Sequence, residues 1–384
     1  MHATDALAEA DRQITICNAC RYCEGLCAVF PALEMQRSFT DGDLNYLANL
    51  CHNCGACYHD CQFAPPHEFA VNIPKILAEV RNDSYARYAW PRALAPAFAR
   101  NGLFTAVLVA LCVSVFLIGV IAVNAPGALF SAHTSPEGFY ALMPHNMMVW
   151  LFGPAFVFAL AALAMGMRNF WRDANAANAV NADSPSLRQA MRDAGSLRYL
   201  DGGGVGCFND DDKPTDNRRL WHHLTFYGFL LCLAATSTGT VYHYAFGWEA
   251  PYNWWNLPQL LGTAGGIGLA IGACGLLAAR RKRISALKDG RMAGMDVAFT
   301  LMLLLTAVTG LGLHILAMTP LMGLLLVVHL GVVFALFLTM PYGKFVHGLY
   351  RFMALCRYAV ARRYGLRRPG SAAAPVAQSA ATRG

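Results

Sequence analysis

Eight cysteines near the front of the chain fall into two copies of one spacing, Cys17-x2-Cys20-x2-Cys23-x3-Cys27 and Cys51-x2-Cys54-x2-Cys57-x3-Cys61. Three thiolates at three-residue intervals in one short loop can each take one iron of a cubane, and this run is the one that holds [4Fe–4S] clusters. Structural zinc instead favours cysteine pairs parted by a long insert. The fourth Cys of such a run ligates the other cluster. The expected sets therefore cross: Cys17, Cys20, Cys23 and Cys61 on one cube, Cys51, Cys54, Cys57 and Cys27 on its mate. The proline that usually follows the fourth Cys is replaced by Ala28 and Gln62, so the turn geometry departs from the pattern while the ligands do not. His52 and His59 flank the second run and read as hydrogen-bonding neighbours of the sulfurs. The other cysteines, Cys112, Cys207, Cys232, Cys274 and Cys356, read as small apolar residues.

A second set of chemistry-bearing residues lies in apolar surroundings. Histidines inside a bilayer are costly and functional by default, and histidine is a common axial ligand of haem iron. His222-His223 and His243 bracket one apolar stretch, about 20 residues apart; His329 and His347 bracket another, 18 apart. At 1.5 Å per residue these are separations of roughly 30 and 27 Å. Two facing helices could thus present one histidine pair near each membrane surface: His222 or His223 with His347, and His243 with His329. His314 is an alternative partner for His329, and His145 a weaker one. The expected cofactor is one or two b-type haems, since no C-x-x-C-H run exists for covalent attachment. The competing reading is structural. His222, His223 and His347 also stand where interfacial side chains snorkel, and His314 or His145 could simply hydrogen-bond between helices.

These residues need elements to hold them. The 384-residue chain is 56% hydrophobic and only 14% charged, against about a quarter charged in a soluble domain. Six stretches free of Lys, Arg, Asp and Glu reach the ~20 residues a crossing needs: Leu103–Val123, Met147–Met167, Leu224–Tyr244, Leu257–Ala279, Val297–Met318 and Pro320–Tyr342. The segments Asn124–Asn146 and Ala245–Asn256 contain no Lys or Arg, whereas the other connections carry Arg168, Arg218, Arg219 and the run Arg280 to Arg283. All the basic residues then share one side, which the positive-inside rule makes cytoplasmic together with both termini. This distribution accounts for the net charge of +7 without nucleic acid. Cluster thiolates need a reducing compartment, and the N-terminus lacks the residue order of a signal peptide.

The expected fold is all-α, a helical two-[4Fe–4S] ferredoxin-type module followed by a six-helix transmembrane bundle. Its divisions are a cytoplasmic cluster domain (1–95), a transmembrane hairpin (96–170), a cytoplasmic connector (171–219), a four-helix haem-binding unit (220–345) and a basic cytoplasmic tail (346–384) with a disordered end. The connector's Gly202-Gly203-Gly204-Val205-Gly206 neither follows a strand nor opens a helix, so it reads as a flexible or docking loop rather than a nucleotide loop.

The paired cysteine runs and the stretch RLWHHLTFYGFLLCLAATSTGTVYHY (Arg219–Tyr244) resemble the tricarballylate- or citrate-utilization protein B family, an architecture that also occurs fused to a flavin domain in an aerobic cobalamin-biosynthesis protein. His329–Arg351 resembles the last haem-bearing helix of nitrate reductase gamma subunits. The first resemblance covers nearly the whole chain, the second one helix. They imply that the eight cysteines hold clusters and that His223, His243, His329 and His347 ligate haem, with the His222-His223 doublet leaving the residue open. They also imply a partner, an FAD-containing tricarballylate dehydrogenase, and an acceptor, the quinone pool of a bacterial-type inner membrane.

Neither a Gly-rich dinucleotide fingerprint nor a Ser-His-Asp arrangement is present, so substrate chemistry is expected on the partner and only redox transfer, as a possible quinone reductase, on this chain. The alternative is a membrane-bound redox sensor or assembly factor whose clusters do not conduct. A secondary transporter is disfavoured because the spans lack carboxylates and an inverted repeat.

Overall fold

A computed structural model describes residues 2–133, 138–177, 181–209, 213–250 and 252–365. Helices dominate it. The N-terminal part contains α1 (Asp5–Cys20), α2 (Val29–Glu34), α3 (Asp41–Leu50), α4 (Ala56–His59) and α5 (Ile73–Tyr88). Each cysteine run begins where a helix stops. Cys17 and Cys20 end α1, which Arg21 closes in the left-handed region (φ 59°), and Cys51 is the residue after α3. The α3 start is fixed by a capping box, in which Thr40 accepts from the Asp43 amide while Asp43 accepts from the Thr40 amide. That arrangement satisfies two amides that would otherwise lack partners.

Six helices are long and apolar enough to cross a membrane, and the chain is a multi-pass membrane protein. They are α6 (Asn101–Val123), α8 (His145–Ala174) after the short α7 (Gly138–Leu142), α10 (Asn217–Phe246), α11 (Leu257–Arg281), α12 (Ala293–Ile315) and α13 (Met322–Thr339). On α6 Leu103, Val107, Leu111, Val115 and Ile118 are more than half exposed. An apolar stripe of this kind makes sense against lipid and not against water. Between α8 and α10 lie α9 (Ser184–Gly195) and a two-residue antiparallel ladder, β1 (Cys207–Phe208) with β2 (Pro214–Thr215).

The α10–α11 pair is packed through glycine. A Cβ added at Gly228 would lie 2.5 Å from the Leu269 amide nitrogen and 2.9 Å from the Gly265 carbonyl; one at Gly272 would lie 2.5 Å from the Thr225 nitrogen. Small residues let helix backbones close to this distance. Part of the small-residue content of α10 is therefore spent on α11.

The first part of the segment read from sequence as a basic tail is α14 (Val346–Tyr364), most of whose second half is buried. Val346, Tyr350, Ala354, Tyr358 and Ala361 are all at most 4% exposed, and the helix lies against α3, α8 and α9. Its basic residues misled the reading because the decisive one turns inward. Arg357 donates to Asp43 at 2.6 Å, with the two side chains 1% and 2% exposed, and stacks over Tyr46 at 4.0 Å. The segment Pro369–Gly384, expected to be disordered, lies outside the described residues.

The cysteine-bearing module is seated directly on the membrane helices. A Cβ at Gly42 of α3 would fall 2.2 Å from the Asp173 carbonyl at the end of α8. Asp173 also accepts from Tyr88 (2.5 Å) and Arg87 (3.3 Å) of α5.

Candidate redox site

All thirteen cysteines are free thiols. The eight in the paired runs separate into two neighbourhoods. Cys17 feels Cys61, Cys23 and Cys20, whereas Cys27 feels Cys54 and Cys51, and Cys57 feels Cys54, Cys27 and Cys51. Cys61 thus lies near the first run and Cys27 near the second. Cys57 also feels Cys23 of the first group. Burial first, then neighbouring thiolates, pushes Cys17 and Cys23 up to about 12; burial, then Cys207, pushes Cys54 up to about 11. Thiols crowded in this way become thiolates only with a cationic core among them, which iron would supply. Among the described residues no three His, Cys, Asp or Glu side chains converge tightly enough for a single ion. A cubane makes no such demand, because it spreads four thiolates over its corners.

The two neighbourhoods differ in exposure. Around the first, Arg21, Tyr22, Glu24, Asp60 and Gln62 are exposed, Tyr22 to 73%. Around the second, Cys51, His52, Asn53, Gly55 and Ala56 are buried. The glycine-rich connector closes over it. Gly202 and Gly203 have positive φ, and Cβ atoms there would lie 3.8 Å from Cys54 Sγ and 3.0 Å from Leu26 Cα. Phe208 of the connector donates its amide to the Cys54 carbonyl at 3.0 Å and stacks on His59 at 4.1 Å. The connector is thus a docked loop. Cys207, read from sequence as a small apolar residue, is buried beside Cys54.

Sequence reasoning missed four arginines that converge on the second run. Cys51 O accepts from Arg81 (2.8 Å) and Arg351 (2.7 Å); Asn53 O accepts from Arg218 (2.8 Å) and Arg283 (3.1 Å). Arg218 stands one helical turn before His222 on α10, and Arg351 one turn after His347 on α14, so each helix presents a histidine and an arginine on one face. Spacing alone could have flagged them, as Arg218-x3-His222 and His347-x3-Arg351.

The structure brings His222, not His223, to His347, with ring centroids 6.1 Å apart and ring planes 73° apart. His223 stacks on Tyr227 instead. The 6.1 Å gap is the room taken by one metal ion between two imidazoles, each bonded at ~2 Å. His222 Nδ1 is buried without a hydrogen-bond partner. His347 Nδ1 is 2.5 Å from the Lys344 carbonyl, which leaves its Nε2 for a ligand in the usual manner of metal-bound histidine. Burial, then Lys344 and Arg351, hold His347 well below the ordinary histidine range, so it is neutral and can ligate. These two histidines could hold a haem iron between them.

The outer histidines are arranged differently. His243 stacks on His145 at 3.7 Å, too close for a macrocycle between them. The two Nδ1 atoms are buried and unpartnered. His329 lies against α12, its Nδ1 2.9 Å from Thr309 Oγ1, with Gly310 facing the ring. His314 contacts Trp254 and Gln259. Among the described residues His243 and His329 share no ring contact.

A family model described as "Citrate utilization protein B" matches residues 99–369, and one described as its Fer4-like domain matches residues 10–87. The chain is 49% identical over 363 residues to citrate utilization protein B of Escherichia coli, covering 94% of each. No solved structure matches it. The Fer4-like match makes the cysteine module an iron–sulfur domain, and the membrane half is covered by the other. The chain belongs to the citrate utilization protein B family.

Proposed function

We propose that this protein is a membrane-anchored electron-transfer subunit. It reoxidises an FAD-dependent dehydrogenase acting on a tricarballylate- or citrate-like acid and passes the electrons through two [4Fe–4S] clusters and b-type haem to quinone. The observation that carries this reading is continuity. The buried loop Cys51–Asn53 is bonded by Arg218 and Arg351, and the same two helix faces hold His222 and His347. A thiolate site and a histidine pair joined in this way connect water to lipid.

Cys17, Cys20, Cys23 and Cys61 would hold the first cluster and Cys51, Cys54, Cys57 and Cys27 the second. His222 and His347 would hold the inner haem. When bound, these groups accept electrons singly, which splits the pair that a reduced flavin releases. The exposed surround of the first site lets a flavoprotein approach, while the connector and α14 exclude water from the second. His329, whose Nδ1 is hydrogen-bonded with Thr309, would serve a second haem, and His243 on α10 remains its proposed partner. The cluster module and both ends of the chain lie on the cytoplasmic side of an inner membrane, where the basic connections gather.

The test is turnover. Purified protein in lipid, given the reduced flavoprotein and a soluble quinone, reduces the quinone; Cys54→Ser and His222→Ala each abolish that transfer without affecting the flavoprotein's own oxidation of its acid. Loaded protein that binds the flavoprotein yet never reduces quinone would make it a sensor.

A further inference from the structure

We infer that Arg81, Arg218, Arg283 and Arg351 hold the second iron–sulfur site at a higher reduction potential than the first, so that an electron arriving at the exposed site comes to rest beside the membrane. This rests on the two-cluster reading above. The four arginines come from four different elements: α5, α10, the turn after α11, and α14. Each donates to a carbonyl of the Ala48–Asn53 segment. Among the described residues none of the four is ion-paired with a carboxylate. The acid that acts on Arg283, Asp296, is already paired with Arg280 (2.8 Å) and Lys344 (2.8 Å). The Asn53 amide also donates to Cys51 Sγ at 3.3 Å.

The first site has the opposite surroundings. Asp60 acts on Cys23, Glu24 is exposed in the same run, and Arg21, next to Cys20, is exposed with its guanidinium turned to the Asn18 carbonyl. A cluster held by four thiolates becomes more negative on reduction, so net charge, hydrogen bonds to sulfur and exposure set its potential. Burial alone would lower the second site's potential. However, the guanidinium charges act through the same low dielectric, where each is felt more strongly than in water, and four of them face a single added charge. The cations win. One electron then leaves the first site, which is oxidised, and enters the second, which is reduced, with no proton transferred.

The test is a reductive titration of the full-length, cluster-loaded protein followed by electron paramagnetic resonance. The wild type gives two one-electron waves. Cys20→Ser alters the spectrum of one of them and so marks the first site. The unmarked, higher wave moves down in Arg218→Gln and in Arg283→Gln, by about tenfold in the electron's partition, or about 59 mV. The marked wave stays in place, and Arg218→Lys restores the wild-type value. Each single variant keeps a second arginine on Asn53 O, so the loop remains held. An unmoved higher wave, or a second site found lower than the first, overturns the inference. Iron content near one cluster per chain would refute the two-cluster reading itself, a different result.

Discussion

Replacing Arg357 with methionine should destabilise the protein more than any other single change on α14. The substitution keeps most of the side-chain volume but leaves Asp43 Oδ1 without the guanidinium it meets at 2.6 Å in a nearly water-free site. Breaking a buried ion pair from one side costs about 3–5 kcal/mol. Asp43 Oδ2 still accepts from the Thr40 amide and hydroxyl, which argues for the lower end, about 3 kcal/mol. The lost stack over Tyr46 at 4.0 Å adds about 1 kcal/mol. A loss of that size is a large part of a typical folding free energy of about 5–15 kcal/mol and should lower the midpoint of a thermal scan in detergent by roughly 5–10 °C. The informative control is the pair of variants. Asp43→Asn combined with Arg357→Met removes both charges and should recover much of the loss, because the penalty comes from the stranded carboxylate. A single variant as stable as wild type, or losses that simply add in the double variant, would refute the reasoning.

Three other outcomes are expected. His222→Ala should lower haem content while leaving iron unchanged, and His223→Ala should leave both near wild type; pyridine haemochrome and iron assays on the purified variants check this, and the reverse pattern would return the ligand role to His223. Gly265→Leu forces a side chain where even a Cβ would lie 2.8 Å from the Cys232 nitrogen, an overpacking of ~1–3 kcal/mol or more that should part α10 from α11 and lower haem before iron. His329→Ala should reduce haem per chain in proportion to any second haem, and unchanged haem would remove His329 from the ligand set.

The chemistry that depends on local spacing could be read from the sequence. Thiolates three residues apart can only crowd one loop, and runs of apolar residues long enough to span a bilayer have few alternatives, so the crowding of each cysteine run and the six apolar helices were legible. What required tertiary contacts was not. Adjacent histidines on a helix point about 100° apart, and which of His222 and His223 faces α14 depends on how the glycines of α11 seat α10. The α14 helix was obscured by Arg351, Arg357, Arg362 and Arg363, although Val346, Tyr350, Ala354 and Tyr358 recur at four-residue intervals and mark a buried face. The glycines at 202–206 carried a signal for close approach, but not what they approach. The stacking of His243 on His145 joins residues almost a hundred positions apart, beyond any periodicity.

The central claim is that inorganic centres run from the water-facing module into the membrane. Metal and haem quantitation of the purified full-length protein, with its absorption spectrum after dithionite, tests this most directly. The account predicts about eight non-haem irons per chain, a sharp reduced b-type haem band, and loss of that band but not of the iron in His222→Ala. A colourless protein that carries zinc in place of iron would contradict it.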